Sequence, residues 1–299
     1  MADPLSASAL LDALRAEGVT VVEVGTWRTH NRNHKGAWGP VHGVMIHHTV
    51  TQGTDRTVQI CRDGYASLPG PLCHGVIAKD GRVHLVGHGR ANHAGLGDPD
   101  VLDAVIAERL LPADDQATVD GNARFYGFEC ENLGDGEDPW PDAQLTAIER
   151  VSAALCRAHG WNQRSVIGHL EWQPGKIDPR GFTMDAMRSR IGARLAAKAP
   201  SAGTKPVVVL SKLVAAAKKN PAAKGTPVTY AGVRTVEAAL VAEGLLAYAY
   251  NDGHFGTSTV AAYARWQRRC GYSGRDADGI PGRASLARLA ARHGFDVTS

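Results

Sequence analysis

An α/β fold with a mixed central sheet and packed helices, followed by a small all-α domain of three helices, is what this sequence predicts. Three observations carry that reading. Short apolar runs at 41–48, 126–131 and 165–167 alternate with stretches whose apolar residues recur at helical spacing. A Lys79-Asp80-Gly81 turn joins two strand-like runs, 74–78 and 82–87, as a hairpin. Beyond residue 198 the periodicity is lost in Ala199-Pro200-Ser201-Ala202-Gly203-Thr204-Lys205-Pro206, and the remainder of the chain, 207–299, reads as helices and turns.

Taken in order, residues 6–17 place Leu10, Leu11 and Leu14 on one helical face, and Gly18 can end that helix. Residues 19–24 form a short strand and 41–48 a longer one. A helix over 54–63 stops at Gly64. The hairpin comes next, then a helix over 100–111 and an alternating strand over 126–131. Residues 142–159 give the clearest helix: Leu145, Ile148, Ser152 and Leu155 share a face, Pro141 suits its first turn and Gly160 its end. A helix over 184–198 closes the first domain. The predicted division is a first domain over 1–198, a linker over 199–229 and a second domain over 230–299. The linker carries a short helix at 207–219, with Leu210, Leu213, Val214 and Ala217 on one face, and a flexible joint at 220–227. Helices are expected at 233–243, 259–270 and 284–293. A small repeat sits among them: Asp252-Gly253-His254-Phe255-Gly256-Thr257 recurs as Asp278-Gly279-Ile280-Pro281-Gly282-Arg283. These Asp-Gly turns lack the closely spaced acidic ligands of a calcium loop and read as structural.

Composition narrows the class. The chain has 299 residues, enough for two domains, and is 43% hydrophobic and 21% charged, as soluble globular proteins are. No window approaches the ~20 apolar residues of a membrane helix. The N-terminus lacks the basic start and apolar core of a secretory signal, which predicts a protein made in a cytoplasm and not exported by that route. Five scattered cysteines predict free thiols, not a disulfide framework. Residues 198–299 carry 14 Lys and Arg against 6 Asp and Glu, while residues 1–197 carry 19 against 24. A basic tail on a mildly acidic body suggests docking to an anionic polymer, either nucleic acid or a bacterial wall.

The chemistry concentrates in Gly168-His169-Leu170-Glu171-Trp172-Gln173-Pro174-Gly175-Lys176-Ile177-Asp178-Pro179. An apolar run delivers His169 to a rim, and the Pro-Gly and Asp-Pro pairs force a tight loop that can return Asp178 to it. A third ligand would complete a zinc site with one open position, and His47, at the end of another apolar run, is the candidate. Glu129 and Glu131 share a strand face, so alternation alone leaves both open as a proton-transfer group.

Four pieces in order carry a family resemblance: His47-His48-Thr49; Cys73-His74-Gly75-Val76-Ile77-Ala78-Lys79-Asp80-Gly81; Tyr126-Gly127-Phe128-Glu129; and the 168–179 loop. The chain resembles the type 2 N-acetylmuramoyl-L-alanine amidases, a zinc family that includes phage lysozymes of amidase type and peptidoglycan recognition proteins. Residues 230–293 resemble a type 1 peptidoglycan-binding module. The resemblance implies the type 2 amidase fold and a cell-wall-binding second domain. It implies Zn2+ held by His47, His169 and Asp178, with Glu129 moving protons and Lys176 stabilising an oxyanion. His93 is similar to a substrate-groove histidine, and His48 would be a neighbouring substrate-side or supporting group. Where many relatives have a tyrosine this chain has Cys73, which is assigned no catalytic role. The implied function is a phage endolysin that cuts between N-acetylmuramic acid and L-alanine, with peptidoglycan and not nucleic acid as partner. It would stay in the host cytoplasm until the membrane is permeabilised. Two other readings are a peptidoglycan-recognition protein that does not cut, and a zinc peptidase acting within the stem peptide.

Overall fold

Alternation along six short strands decides which side chains meet which helices. The computed structural model describes residues 2–197, 206–219, 230–247 and 250–299. The expected linker residues 199–205 and the joint at 220–227 lie outside the described residues. The chain divides into two units, Met1–Ala202 and Gly203–Ser299.

The first unit contains β1 (Val21–Glu23), β2 (Gly43–His48), β3 (Gly64–Tyr65), β4 (Leu68–Pro69), β5 (Gly75–Ile77), β6 (Val83–Leu85), β7 (Leu96–Gly97), β8 (Val119–Asp120), β9 (Phe125–Cys130) and β10 (Val166–Gly168). Its helices are α1 (Ala7–Ala16), α2 (Thr54–Asp63), α3 (Pro99–Ile106), α4 (Asp142–His159) and α5 (Met184–Ala196). One sheet runs in the order β1-β6-β5-β9-β2-β10. Its β5–β6 pair is antiparallel and the rest are parallel, so the sheet is mixed. The small β3–β4 and β7–β8 pairs are antiparallel additions outside it.

On one face, Val44, Ile46, Tyr126, Phe128 and Val166 pack against Leu10 and Leu14 of α1, Ile148, Val151 and Leu155 of α4, and Ile191 of α5. Each of these helices is terminated as its sequence dictates: Ser6 Oγ accepts from Ala9 N, Thr183 Oγ1 from Ala186 N, and Gly160 closes α4 in the left-handed region at φ 73°. The opposite face meets two smaller clusters. Met45, Phe125 and Ile167 pack with α3 and Trp172. Val76 packs with Val58 and Cys61 of α2, and with Cys73 and Val86. The odd-numbered residues of β2 and β9 point to this second face, at the carboxyl ends of adjacent parallel strands, where open α/β sheets place their sites.

Helix α3 ends five residues before the expected Leu111. Glu108 takes a positive φ of 51°, and its carboxylate accepts from Asn162 N, Asn162 Nδ2 and Ser165 Oγ. Helical spacing continues past that point, but the long-range hydrogen bonds stop the helix.

The second unit holds β11 (Val207–Val209), α6 (Leu210–Lys218), α7 (Gly232–Ala242), α8 (Thr257–Arg269), α9 (Arg283–His293) and β12 (Asp296–Thr298). Residues 207–209 are a strand, not the first turn of a helix: three valines favour extended backbone and pair in parallel with β12. Val208, Leu213, Ala216 and Ala217 are built into this unit's core with Val236, Leu240, Tyr263, Trp266 and Leu286, so this part of the expected linker is structural. The Asp-Gly repeat is a repeated hydrogen-bond device. Asp252 Oδ1 accepts from His254 N and Asp278 Oδ1 from Ile280 N. A preceding helix then accepts each glycine N–H: Glu237 Oε2 from Gly253 and Gln267 Oε1 from Gly279, both at 2.7 Å.

Candidate metal centre

Register brings the polar side chains together. His47 and Glu129 are directly paired residues of β2 and β9, and Gly168, paired with Ile46, sends His169 out beside His47. The 168–179 loop then turns back. Leu170 N donates to the Asp178 carbonyl at 2.7 Å, and Lys176 N to Gln173 O at 3.1 Å. Glu171 ties the loop to α5 through Arg188, with contacts of 2.7 and 2.8 Å. Trp172 is fully buried, and its Nε1 donates to Ala94 O at 2.9 Å. A Cβ on Gly97 would lie 2.0 Å from the Trp172 ring, and one on Gly121 2.7 Å, so only glycine lets these segments close around it.

His47, His169 and Asp178 form the one three-residue cluster of potential metal ligands among the described residues. His47 Nδ1 is 3.1 Å from His169 Nδ1 and 3.0 Å from Asp178 Oδ2; His169 Nδ1 is 3.1 Å from that same oxygen. Donors around a tetrahedral zinc ion, about 2.0–2.1 Å from it, stand about 3.3–3.4 Å apart, so the triangle is of the right size. The protonation states suit it too. Burial, outweighing the pull of Asp178, pushes His47 down to about 4, which leaves the imidazole neutral. Burial opposes ionisation of Asp178, but hydrogen bonds with His169 and His47 hold its carboxyl well below the usual carboxylate range. A neutral His47 imidazole and an ionised Asp178 carboxylate are in the deprotonated form that zinc ligands require.

Around the cluster the expected residues divide. Glu129 lies on the same face as His47. Burial, reinforced by the Asp178 charge and opposed by Lys176, pushes it up to about 8, and its Oε2 is buried without a hydrogen-bond partner. Glu131 is past the end of the strand and occupied: it accepts from Gly53 N at 2.9 Å and Thr54 Oγ1 at 2.7 Å, anchoring the start of α2. Lys176 is exposed on the loop, close enough for its charge to lower both Glu129 and His47. Cys73 is buried beside Cys61, and burial with that neighbour raises its thiol far above the ordinary range, so it is neither a thiolate nucleophile nor a ready ligand.

Two further expected residues are buried. Alternation turns His48 to the side of the sheet opposite His47, where it is buried and its Nδ1 accepts from Arg180 N at 3.1 Å, as the supporting alternative requires. It holds the end of the loop that carries Asp178. His93 is the second of them. It is only 8% exposed and sits behind His47, its Nδ1 3.1 Å from His47 Nε2. Sequence reasoning also passed over Gln173, whose Oε1 lies 3.3 Å from His169 Nε2. Its place four residues after His169, one turn along, was the available signal.

Part of this chain is similar to a known family. The N-acetylmuramoyl-L-alanine amidase family model matches residues 37–181. No curated protein sequence matches the chain. Among solved structures, the chain is similar to the N-acetylmuramoyl-L-alanine amidase LysC from Clostridium intestinale, with 19% identity, 57% of this chain and 97% of that chain covered, and a TM-score of 0.40. It is similar to the amidase AmiD from E. coli, solved with anhydro-N-acetylmuramic acid-L-Ala-D-gamma-Glu-L-Lys, at 14% identity, covering 89% and 94%, with a TM-score of 0.38. The hydrolase AmiA from Staphylococcus aureus, solved with its ligand, matches at 13% identity, 64% and 93% coverage and a TM-score of 0.41.

Proposed function

We propose that this protein is a zinc-dependent N-acetylmuramoyl-L-alanine amidase, which hydrolyses the amide between N-acetylmuramic acid and L-alanine in peptidoglycan. The observation that carries the reading is the triangle of His47, His169 and Asp178 beside a buried, unpartnered Glu129 oxygen. The family match over residues 37–181 supports the choice of bond. His47 Nδ1, His169 Nδ1 and Asp178 Oδ2 would hold the ion. A bound zinc supplies Lewis acidity and lowers the pKa of water from 15.7 to about 7.

The remaining work belongs to the protein. Glu129 accepts a proton at Oε2 from the attacking water and returns it to the departing amine, a role suited to a carboxyl poised near neutrality. Lys176, on the loop between His169 and Asp178, is assigned to stabilise the oxyanion that develops on the scissile carbonyl oxygen. Trp172 and the loops around it keep the two histidines fixed, so that little reorganisation is needed.

The second unit we assign to wall attachment, and the whole chain to an endolysin that reaches the wall once the membrane is permeabilised. The excess of positive charge over residues 198–299 supports an anionic polymer as its partner. No helix among the described residues is long and apolar enough to cross a membrane.

Mass spectrometry of digested muropeptides, with and without a chelator, tests the reading. Amidase action leaves free lactyl groups and intact stems, and chelation abolishes it. Cleavage within the stem would identify a peptidase instead. Binding to wall material with no cleavage in the presence of zinc would identify a recognition protein.

A further inference from the structure

Each ligand histidine turns Nδ1 toward Asp178, and a neutral imidazole carries one N–H. For Nδ1 to offer a lone pair, the proton must sit on Nε2, so a partner that accepts from Nε2 sets the correct tautomer. For His169 that partner is Gln173 Oε1. For His47 the group at Nε2 is another imidazole, His93 Nδ1, at 3.1 Å. We propose that His93 is a positioning residue for the metal centre, accepting the Nε2–H of His47 at its own Nδ1. It thereby keeps the His47 Nδ1 lone pair aimed at the site. The inference rests on the metal-centre reading.

The surroundings of His93 are built for this. Asn122 is buried, and its Oδ1 accepts from both His93 N and Ala94 N, at 2.8 and 2.9 Å, which fixes the backbone. The ring stands edge-on to His47, with centroids 5.3 Å apart at 84°, and edge-on to His74 at 5.8 Å and 73°. It fills the space above Gly127: a Cβ there would lie 2.4 Å from His93 Nδ1. His74 is already committed, with Nδ1 accepting from Gly127 N and Nε2 donating to Gly89 O. It therefore does not compete for His93. With the His93 proton on Nε2, Nδ1 is left as the acceptor.

The test compares full-length wild type with His93→Leu, His93→Asn and Gly127→Ala. Zinc affinity is read by competition with a chromophoric chelator, and the His47 tautomer by long-range 15N–1H spectra. Leucine removes the acceptor, whereas the asparagine oxygen can stand near the position of Nδ1. His93→Leu should weaken zinc binding about 10–100-fold and replace a single Nε2–H form of His47 by a tautomer mixture. His93→Asn should recover most of the affinity. Gly127→Ala, which keeps His93 but crowds its ring, should behave like the leucine variant, and it carries the comparison if His93→Leu does not fold. Wild-type zinc affinity in both His93→Leu and Gly127→Ala would overturn the proposal. So would equal loss in the leucine and asparagine variants with the His47 tautomer unchanged. If the wild type binds no zinc, the metal reading fails, while the tautomer spectra of the metal-free proteins still decide the role of His93.

Discussion

Glu129 lies on β9 and Glu131 just past its end, two residues on, and their environments separate their tasks. The carboxylate of Glu131 is consumed by Gly53 and Thr54, while Glu129 keeps a buried oxygen free. Replacing Glu129 by glutamine retains shape and removes the proton-transfer group. Glu129→Gln should bind zinc like wild type and lose about 10²–10⁴-fold in kcat, measured on a soluble muropeptide. Undiminished turnover would move the proton-transfer role elsewhere. His47 and His169 could be singled out from sequence because each ends or follows a short apolar run, and Asp178 because the Pro-Gly and Asp-Pro pairs turn its loop back toward His169. Glu129 could not be separated from Glu131 on alternation, because period-two reasoning stops where the strand does. The contacts of His48 and His93 were not legible for a related reason: their partners, Arg180 and His47, are remote in sequence, and only the fold pairs them.

Among the elements, the two Asp-Gly turns of the second unit differ in one informative respect. Gln267 serves the second turn as a neutral amide, while Glu237 serves the first as a fully buried carboxyl. Burial pushes Glu237 up to about 7, against the hydrogen bonds from Gly253 and Thr259 that favour its charged form. A folded-state value above the unfolded one means the fold holds the proton more tightly. Its stabilising contribution is full below the ordinary glutamate range and is lost as pH rises through about 7. The unit should therefore melt at lower temperature at pH 8 than at pH 5, and Glu237→Gln should flatten that dependence and gain about 1–2 kcal/mol at pH 8. Thermal melts across the pH range check both. Long helices such as α4 were legible to the residue because caps and periodicity agree. Strand β11 was not, because three valines ahead of a helical pattern become a strand only through β12, some 90 positions later.

At the scale of the molecule, the opposite charge of the two halves suggests a division of labour. Tethering raises the local concentration of a catalytic unit without adding contacts to its active site. A truncated chain of residues 1–202 should cleave soluble muropeptides at near-wild-type rate but co-sediment less with purified walls. Equal co-sedimentation of the truncated and intact proteins would remove the attachment role from the second unit. The division into two units follows a change of composition that the sequence announces, but the place where the second one begins does not. The lattice of backbone bonds between Val207–Val209 and Asp296–Thr298 moves that beginning into what composition alone marks as linker. The same zipper has a practical corollary. Because the two tracks run the same way, a reporter fused after Ser299 would emerge beside the start of α6, about 10 Å along the pair from the unit's other end at Val207. Joining those ends and opening the ring at another surface turn should yield a permuted version with the same interior.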